Sequence, residues 1–379
     1  MPMLLTHNDA LRSLRIERSQ YSYKEPCKCK ADLPDCTDRP LRYLTDECPD
    51  LDLLTEGISQ NKRLTELTID LSSSSLPKCQ RFFMALRENK VLQRVTVTRL
   101  RSADAFEVCQ LIRQNGVQER VHLTWPITVT APVQAAVRGL YLSSACIDCT
   151  DSQNRILQHG GLNWLPVWKH TRDLSLRLHC DQLVSGYAHL LSYLNVTIDL
   201  RNLCLNIEGR IADKRLRQNL MMTLLGNPGL RKLKIVGGLV VDRDEVRDFA
   251  KALCFNDSLF DFSLFRDTTQ ESSDVVPIES ILSHMSYLVT RNRTLCFLGH
   301  DKVPNSSDFQ AVHRAVRRNR ALAMRAAHFV VGVDKSDYCA KALSLVRNSQ
   351  QLLFDVMRLA AIGEGEAAAR IQRILTRQE

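Results

Sequence analysis

The chain has 379 residues, enough for two globular domains, and a net charge of +9, which disfavours a partner that is itself strongly basic. No apolar run is long enough to cross a membrane, and the amino terminus carries no basic-then-apolar signal segment. Thirteen cysteines without such a segment argue for free thiols in a reducing, cytoplasmic setting.

In chain order, one phrase recurs: Asn, then apolar residues three, six and eight positions later. It stands at Asn8 with Leu11, Leu14 and Ile16, at Asn61 with Leu64, Leu67 and Ile69, and at Asn89 with Leu92, Val95 and Val97. It returns at Asn227 with Leu230, Leu233 and Ile235, and at Asn256 with Leu259, Phe262 and Leu264. Asn115 and Asn292 head further units, Asn319 and Asn348 weaker ones, and Asp38, Trp168 and Thr197 fainter copies inside the long gaps. The interval from Asn8 to Asn61 reads as two periods, with the Asp38 unit between. Some ten to twelve units of about 28 residues are expected end to end. Met1 to His7 leaves no room for a capping element, so either the first unit is exposed or the chain is a piece of something longer.

Each unit reads as a helix followed by a short strand. The alternating apolar residues at six and eight suit a strand with one buried face. Helical patterns run into the anchors over 79–89, 103–115, 214–226, 242–255, 278–291 and 308–319. In the 242–255 segment, Val246, Phe249 and Leu253 share one face. The anchor asparagine is explained as a helix stop in the left-handed conformation. One unit cannot bury enough surface alone, so the units must stack into one elongated α/β solenoid.

These features resemble the ribonuclease-inhibitor type of leucine-rich-repeat protein, whose unit joins a helix to a Leu-x-x-Leu-x-Leu strand. The resemblance covers most of residues 1–357 and implies a horseshoe with a concave parallel sheet and convex helices. Residues 358–379 are expected to form an amphipathic helix, with Ile371, Ile374 and Leu375 capping the array or docking on a partner. One departure is visible. The Asn or Cys usual three residues after the last strand leucine is replaced by Ser72, Leu100, Gly238 and Asp267, which removes the side chains of a regular asparagine ladder. Irregular stretches interrupt the pattern at 19–40, 124–169 and 267–276.

The 124–169 stretch holds all three tryptophans and the pair Cys146 and Cys149, a lone C-x-x-C. Cys27, Cys29, Cys36 and Cys48 are weak zinc candidates, since a zinc site needs four ligands in paired spacing and they lack it. Asn195, Asn256, Asn292 and Asn305 match the glycosylation sequon, which carries little weight without secretion.

Residues five, seven and nine past each anchor are expected to project from the concave sheet. Along the middle of the array these are mainly basic: Arg94, Arg120, His122, Arg177, Lys232 and Lys234, followed by Asp261 and Phe265. They are the candidate partner-binding residues, and their charge points to an acidic protein surface. Phosphate-binding, dinucleotide, zincin and nucleophile-elbow motifs are all missing, so neither an enzyme nor a bound cofactor is expected. The leading reading is a non-catalytic protein-interaction module. The alternative is the substrate-recognition part of a ubiquitin-ligase adaptor or innate immune receptor. A third, nucleic-acid binding, rests only on the basic run 313–320 and is weakened by an aromatic content of 6%.

Overall fold

The computed structural model describes residues 12–18, 41–45, 51–125, 127–128, 136–137, 139–149, 162, 165, 168, 170–239, 243–265, 278–300, 306–346, 350–360 and 369–374. Cys27, Cys29, Cys36, Cys48 and the 267–276 stretch lie outside them. The chain divides into two compact units, Met1–His159 with Trp164–Leu174, and Gly160–Asn163 with Ser175–Glu379. Both are α/β, built on parallel strands with helices between them.

The first unit contains β1 (Ser13–Arg18), β2 (Leu41–Thr45), α1 (Leu51–Gln60), β3 (Glu66–Asp70), α2 (Leu76–Glu88), β4 (Arg94–Arg99), α3 (Ala105–Gln114), β5 (Val121–Leu123), β6 (Ile127–Thr128), β7 (Tyr141–Leu142) and β8 (Ser144–Asp148). Six strands form a parallel sheet in the order β2-β1-β3-β4-β5-β7. Leu67, Ile69, Val95, Val97, Val121 and Leu123 turn inward and are buried against Ile58 of α1, Phe82, Phe83 and Leu86 of α2, and Ile112 of α3. Each such side chain contributes about 1.5–3 kcal/mol on burial.

Two departures from a sequential array stand out. The Asp38 unit does give a strand, β2, but not between its neighbours: β1 pairs directly with β3 through Leu14 and Leu67 while β2 flanks the other side of β1. A strand therefore covers the edge of the first repeat, where none was expected. After β5 the chain leaves the sheet. β7 takes the place beside β5, pairing His122 with Tyr141, and β6 pairs with β8 instead.

The second unit contains β9 (Asp173–His179, whose first two residues belong to the first unit), α4 (Cys180–Val196), β10 (Asn202–Arg210), α5 (Lys214–Gly226), β11 (Lys232–Gly238), α6 (Arg243–Phe255), β12 (Asp261–Phe265), α7 (Ile278–Ser286) and β13 (Phe297–His300). Its strands run in strict chain order from β9 to β13. Gly237, at φ 103°, lets β11 close onto β10, since a Cβ there would lie 2.0 Å from the Ile207 carbonyl oxygen. A buried ion pair joins α5 to α6. Arg217 meets Glu245 at 2.8 Å, both side chains essentially inaccessible, and Arg217 also donates to the carbonyls of Ile211 and Ala212.

The helix expected to stop at Asn319 continues instead. It forms α8 (Ser307–Val331), capped by the Ser306 hydroxyl and ended by Gly332 at φ 78°. α9 (Asp337–Val346) and α10 (Gln350–Leu359) follow, so the Asn319 unit has no strand of its own. Ala323, Ala326 and Ala327 share an apolar cluster with Leu343, Leu352 and Val356. Ile371 is buried in this same cluster and Ile374 packs against it, so the tail docks on its own chain.

The anchor asparagines do more than stop helices. Asn89, Asn227 and Asn292 have extended backbones, with φ near −71° to −76° and ψ from 108° to 129°, so the expected left-handed cap is not what they form. Their side chains instead build a buried ladder. The Asn89 amide donates to the carbonyls of Ile58 and Asn61, 2.7 and 2.9 Å away, while its oxygen accepts from the N–H groups of Val91 and Leu92. Asn227 repeats this toward Leu194 and Thr197, Asn292 toward Leu253 and Asn256, and Asn319 toward Asn292 and Leu295. The asparagine ladder that the substitutions at Ser72 and Leu100 argued against therefore exists, one position class away. Asn256 and Asn292 are buried rungs, which closes both sequons to a glycan in the folded chain.

Candidate functional site

Opposite the buried strand residues, each unit presents a row-ordered polar face. In the first unit one row reads Arg15, Thr68, Thr96, His122 and Tyr141, and a neighbouring row reads Ser13, Glu66 and Arg94. In the second, one row reads Asn202, Lys232, Asp261 and Phe297, and the next reads Cys204, Lys234, Ser263 and Gly299. Alternation along each strand places these side chains on the face away from the core.

Arg120 behaves differently from the other candidates. The Asn115 amide reaches only Leu111 in its own helix, and α3 is closed by Gly116 at φ 66°. Arg120 fills the missing rung. Its guanidinium donates to the carbonyls of Leu86, Asn89 and Leu92, and the first two stand where Ile58 and Asn61 stand for Asn89. Arg120 thus holds adjacent repeats together, and burial lowers its pKa.

The remaining cations fall into two classes. In the second unit Arg177 pairs with Glu208 at 2.6 Å, Lys232 pairs with Asp261 at 2.9 Å, and the Lys234 ammonium sits 4.9 Å from the centre of the Phe265 ring. In the first unit Arg94 is exposed and makes no ion pair among the described residues, although Glu66 faces it across the strand pair. Beside it, His122 is half-buried and stacked on Tyr141, with ring centres 4.7 Å apart and planes 9° apart. Tyr141 in turn meets His170 at 5.1 Å. Burial, then the charge of Arg94, then His170 push the His122 imidazole below its usual value.

Tyr141, His170 and Glu208 were missing from the sequence-derived set. Tyr141 belongs to a two-residue strand inside the irregular stretch, and Glu208 lies past the expected end of its strand, in the nine-residue β10. A periodic template has no place for either.

Other candidate chemistry is quiet. Burial and Asp148 push the Cys149 thiol up to about 12, the opposite of what a reactive thiolate requires. His179, Cys180 and Asp181 lie close enough to share a metal ion. The His179 imidazole, however, already accepts the Asp181 N–H as the cap of α4, in a capping box completed by Gln182. Of the basic run 313–320, Arg318 donates to the Asn292 carbonyl and Arg320 covers the Phe297 ring at 4.5 Å, so both serve packing. A groove of about 510 Å³ lies between α5 and α6, where Met222 and Phe255 are exposed beside the opposite charges of Asp248 and Lys251. No helix among the described residues is long and apolar enough to cross a membrane.

No protein-family model and no curated protein matches the chain. Among solved structures it is similar to the tropomodulin C-terminal domain of Caenorhabditis elegans, at 10% identity over 72% of this chain and 94% of that one. The TM-score is 0.19, too low to transfer a partner or an activity.

Proposed function

We propose that this chain is a non-catalytic, leucine-rich-repeat-type interaction module that recognises a protein partner through the solvent face of its strands. The observation that carries this reading is the division of labour in the repeat. Buried leucines and asparagine rungs hold the strands rigidly, while the residues between them differ from strand to strand. Rigid presentation of varied side chains lowers the ordering cost of binding. The acidic-partner form of the reading centres on the first unit, because Arg94 makes no ion pair among the described residues, whereas Lys232 and Arg177 are neutralised by Asp261 and Glu208. The free thiols of the nine described cysteines accord with a cytoplasmic setting.

Affinity capture from the source cells, comparing the natural chain with Arg94→Glu and Lys232→Glu variants, tests the reading. A protein retained by the natural chain and by Lys232→Glu but lost from Arg94→Glu is expected. Equal recovery on all three would sink the acidic-partner form. Recovery of a ubiquitin-ligase scaffold would assign the chain to a recognition subunit, and recovery of RNA alone would replace the reading with nucleic-acid binding.

A further inference from the structure

His122, Tyr141 and His170 form a chain of ring contacts, the first stacked and the second tilted by 39°, that leads from β5 across β7 to the turn before β9. With the His122 and Tyr141 faces turned toward one another, these two rings offer a ligand their edges: imidazole nitrogens and a phenol hydroxyl. Base stacking needs an open π face, so this arrangement suits lone-pair acceptors better than nucleobases. Thr96 lies in register with His122 and adds a hydroxyl, while exposed Arg94, two residues earlier on β4, supplies a fixed positive charge.

We propose that Arg94, His122, Tyr141 and His170 form a recognition site for a carboxylate-rich segment of a partner protein, and that its affinity rises as the pH falls toward 6. The inference deepens the acidic-partner reading above and rests on it.

The charges around the site make the sign of the pH effect definite. On β4, Arg94 repels a proton from His122. Arg120, ahead of β5, is held by three carbonyls. Glu66 on β3 faces Arg94, and Arg172 and Asp173 follow His170, their N–H groups both donating to the Ser143 carbonyl. In the free chain burial and Arg94 keep His122 neutral at pH 7. A bound carboxylate screens Arg94 and pairs with the His122 imidazolium, so the complex binds more protons than the free chain. Affinity then grows as pH falls.

Fluorescence anisotropy of labelled poly-L-glutamate with the full chain tests the inference at about pH 7.5 and about pH 6, the range in which only histidine titrates. Binding about tenfold tighter at the lower pH is expected. The double variant His122→Gln with His170→Gln should keep the affinity seen at the higher pH and respond less than about twofold to acid. Arg94→Ala should weaken binding about fivefold at both values. A flat response in the natural chain, or a full response in the double variant, overturns the inference. So does stronger binding of plain duplex DNA than of poly-L-glutamate. Imidazole NMR signals of the natural chain, followed during the poly-L-glutamate titration, need no variant: the inference requires His122 and His170 to shift. Cellular capture of a protein that survives the double variant but not Arg94→Glu would leave the module reading standing while removing the histidine role.

Discussion

In the second unit each cation expected on the strand face has a local answer: Arg177 has Glu208, Lys232 has Asp261 and Lys234 has the Phe265 ring. In the first unit the expected cations part ways. Arg120 is built into the scaffold, Arg94 faces Glu66 but makes no ion pair among the described residues, and His122 is held in a ring stack. The scaffolds differ in the opposite sense. The second unit keeps its strands in chain order, with asparagine at each rung from Asn227 to Asn319. The first breaks strand order at both ends of its sheet and replaces one rung with arginine. Regular backbone accompanies a neutralised face, and irregular backbone accompanies the open one. The same residue type thus carries unlike roles according to the repeat around it, and a charge map drawn from spacing alone cannot separate them.

The largest way to break the contrast is through the buried ion pair of the second unit. Arg217→Ala leaves Glu245 charged and inaccessible and is expected to cost about 3–5 kcal/mol in denaturant unfolding. A loss below about 1 kcal/mol would mean that water reaches Glu245 in solution.

The rungs come next. Asn256→Ala strands the N–H groups of Ser258 and Leu259 together with the Leu225 carbonyl, and should cost about 2–4 kcal/mol. Asn115→Ala removes only a bond within its own helix turn and should cost less than about 1 kcal/mol. Arg120→Ala should resemble Asn256→Ala more than Asn115→Ala. If Asn115 proves the costlier of the two, Arg120 is not the substitute rung.

A smaller effect separates the faces. Arg94→Glu should weaken capture of an acidic partner about tenfold, whereas Lys232→Glu, whose charge Asp261 already offsets, should change it about twofold or less. Paired titrations against the captured partner measure the ratio.

The pH dependence of stability offers a still smaller test. His122 binds a proton less readily folded than unfolded, because of burial and Arg94. Its contribution is fully present above the ordinary histidine pKa of 6.5 and is lost as pH falls below that value toward the depressed folded-state one. His122→Gln should flatten that part of a stability-against-pH curve, and an unchanged curve would place the acid sensitivity elsewhere. His313, depressed by burial, Arg317 and His300, is the control in the second unit.

Much of the repeat was legible from Asn, Leu and spacing. The phrase at Asn61, Asn89, Asn227 and Asn256 leads in each case to a strand whose inward residues are buried, Leu264 alone among them being half-buried, because alternation and helical periodicity are local consequences of backbone geometry. What failed depended on residues distant in sequence. β2 sits outside β1, against the linear count of repeats, and nothing local dictates which edge a strand takes. The helix through Asn319 continues because a buried amide there meets carbonyls 24 and 27 residues earlier, so the residue that ends other helices stabilises this one from within. Tyr141 and His170 escaped notice because their partnership with His122 exists only across strands.

The amino-acid sequence by itself determined an α/β repeat of helix and parallel strand, the inward apolar positions of its strands, and most of the residues that turn away from the core. Local propensity and periodicity are sufficient for these. Only the tertiary structure decided how each of the outward residues is engaged. Whether a cation is paired, built into a rung or left open depends on what the neighbouring repeat places within a few ångströms, and separations of about 28 residues along the chain hide that from any local reading.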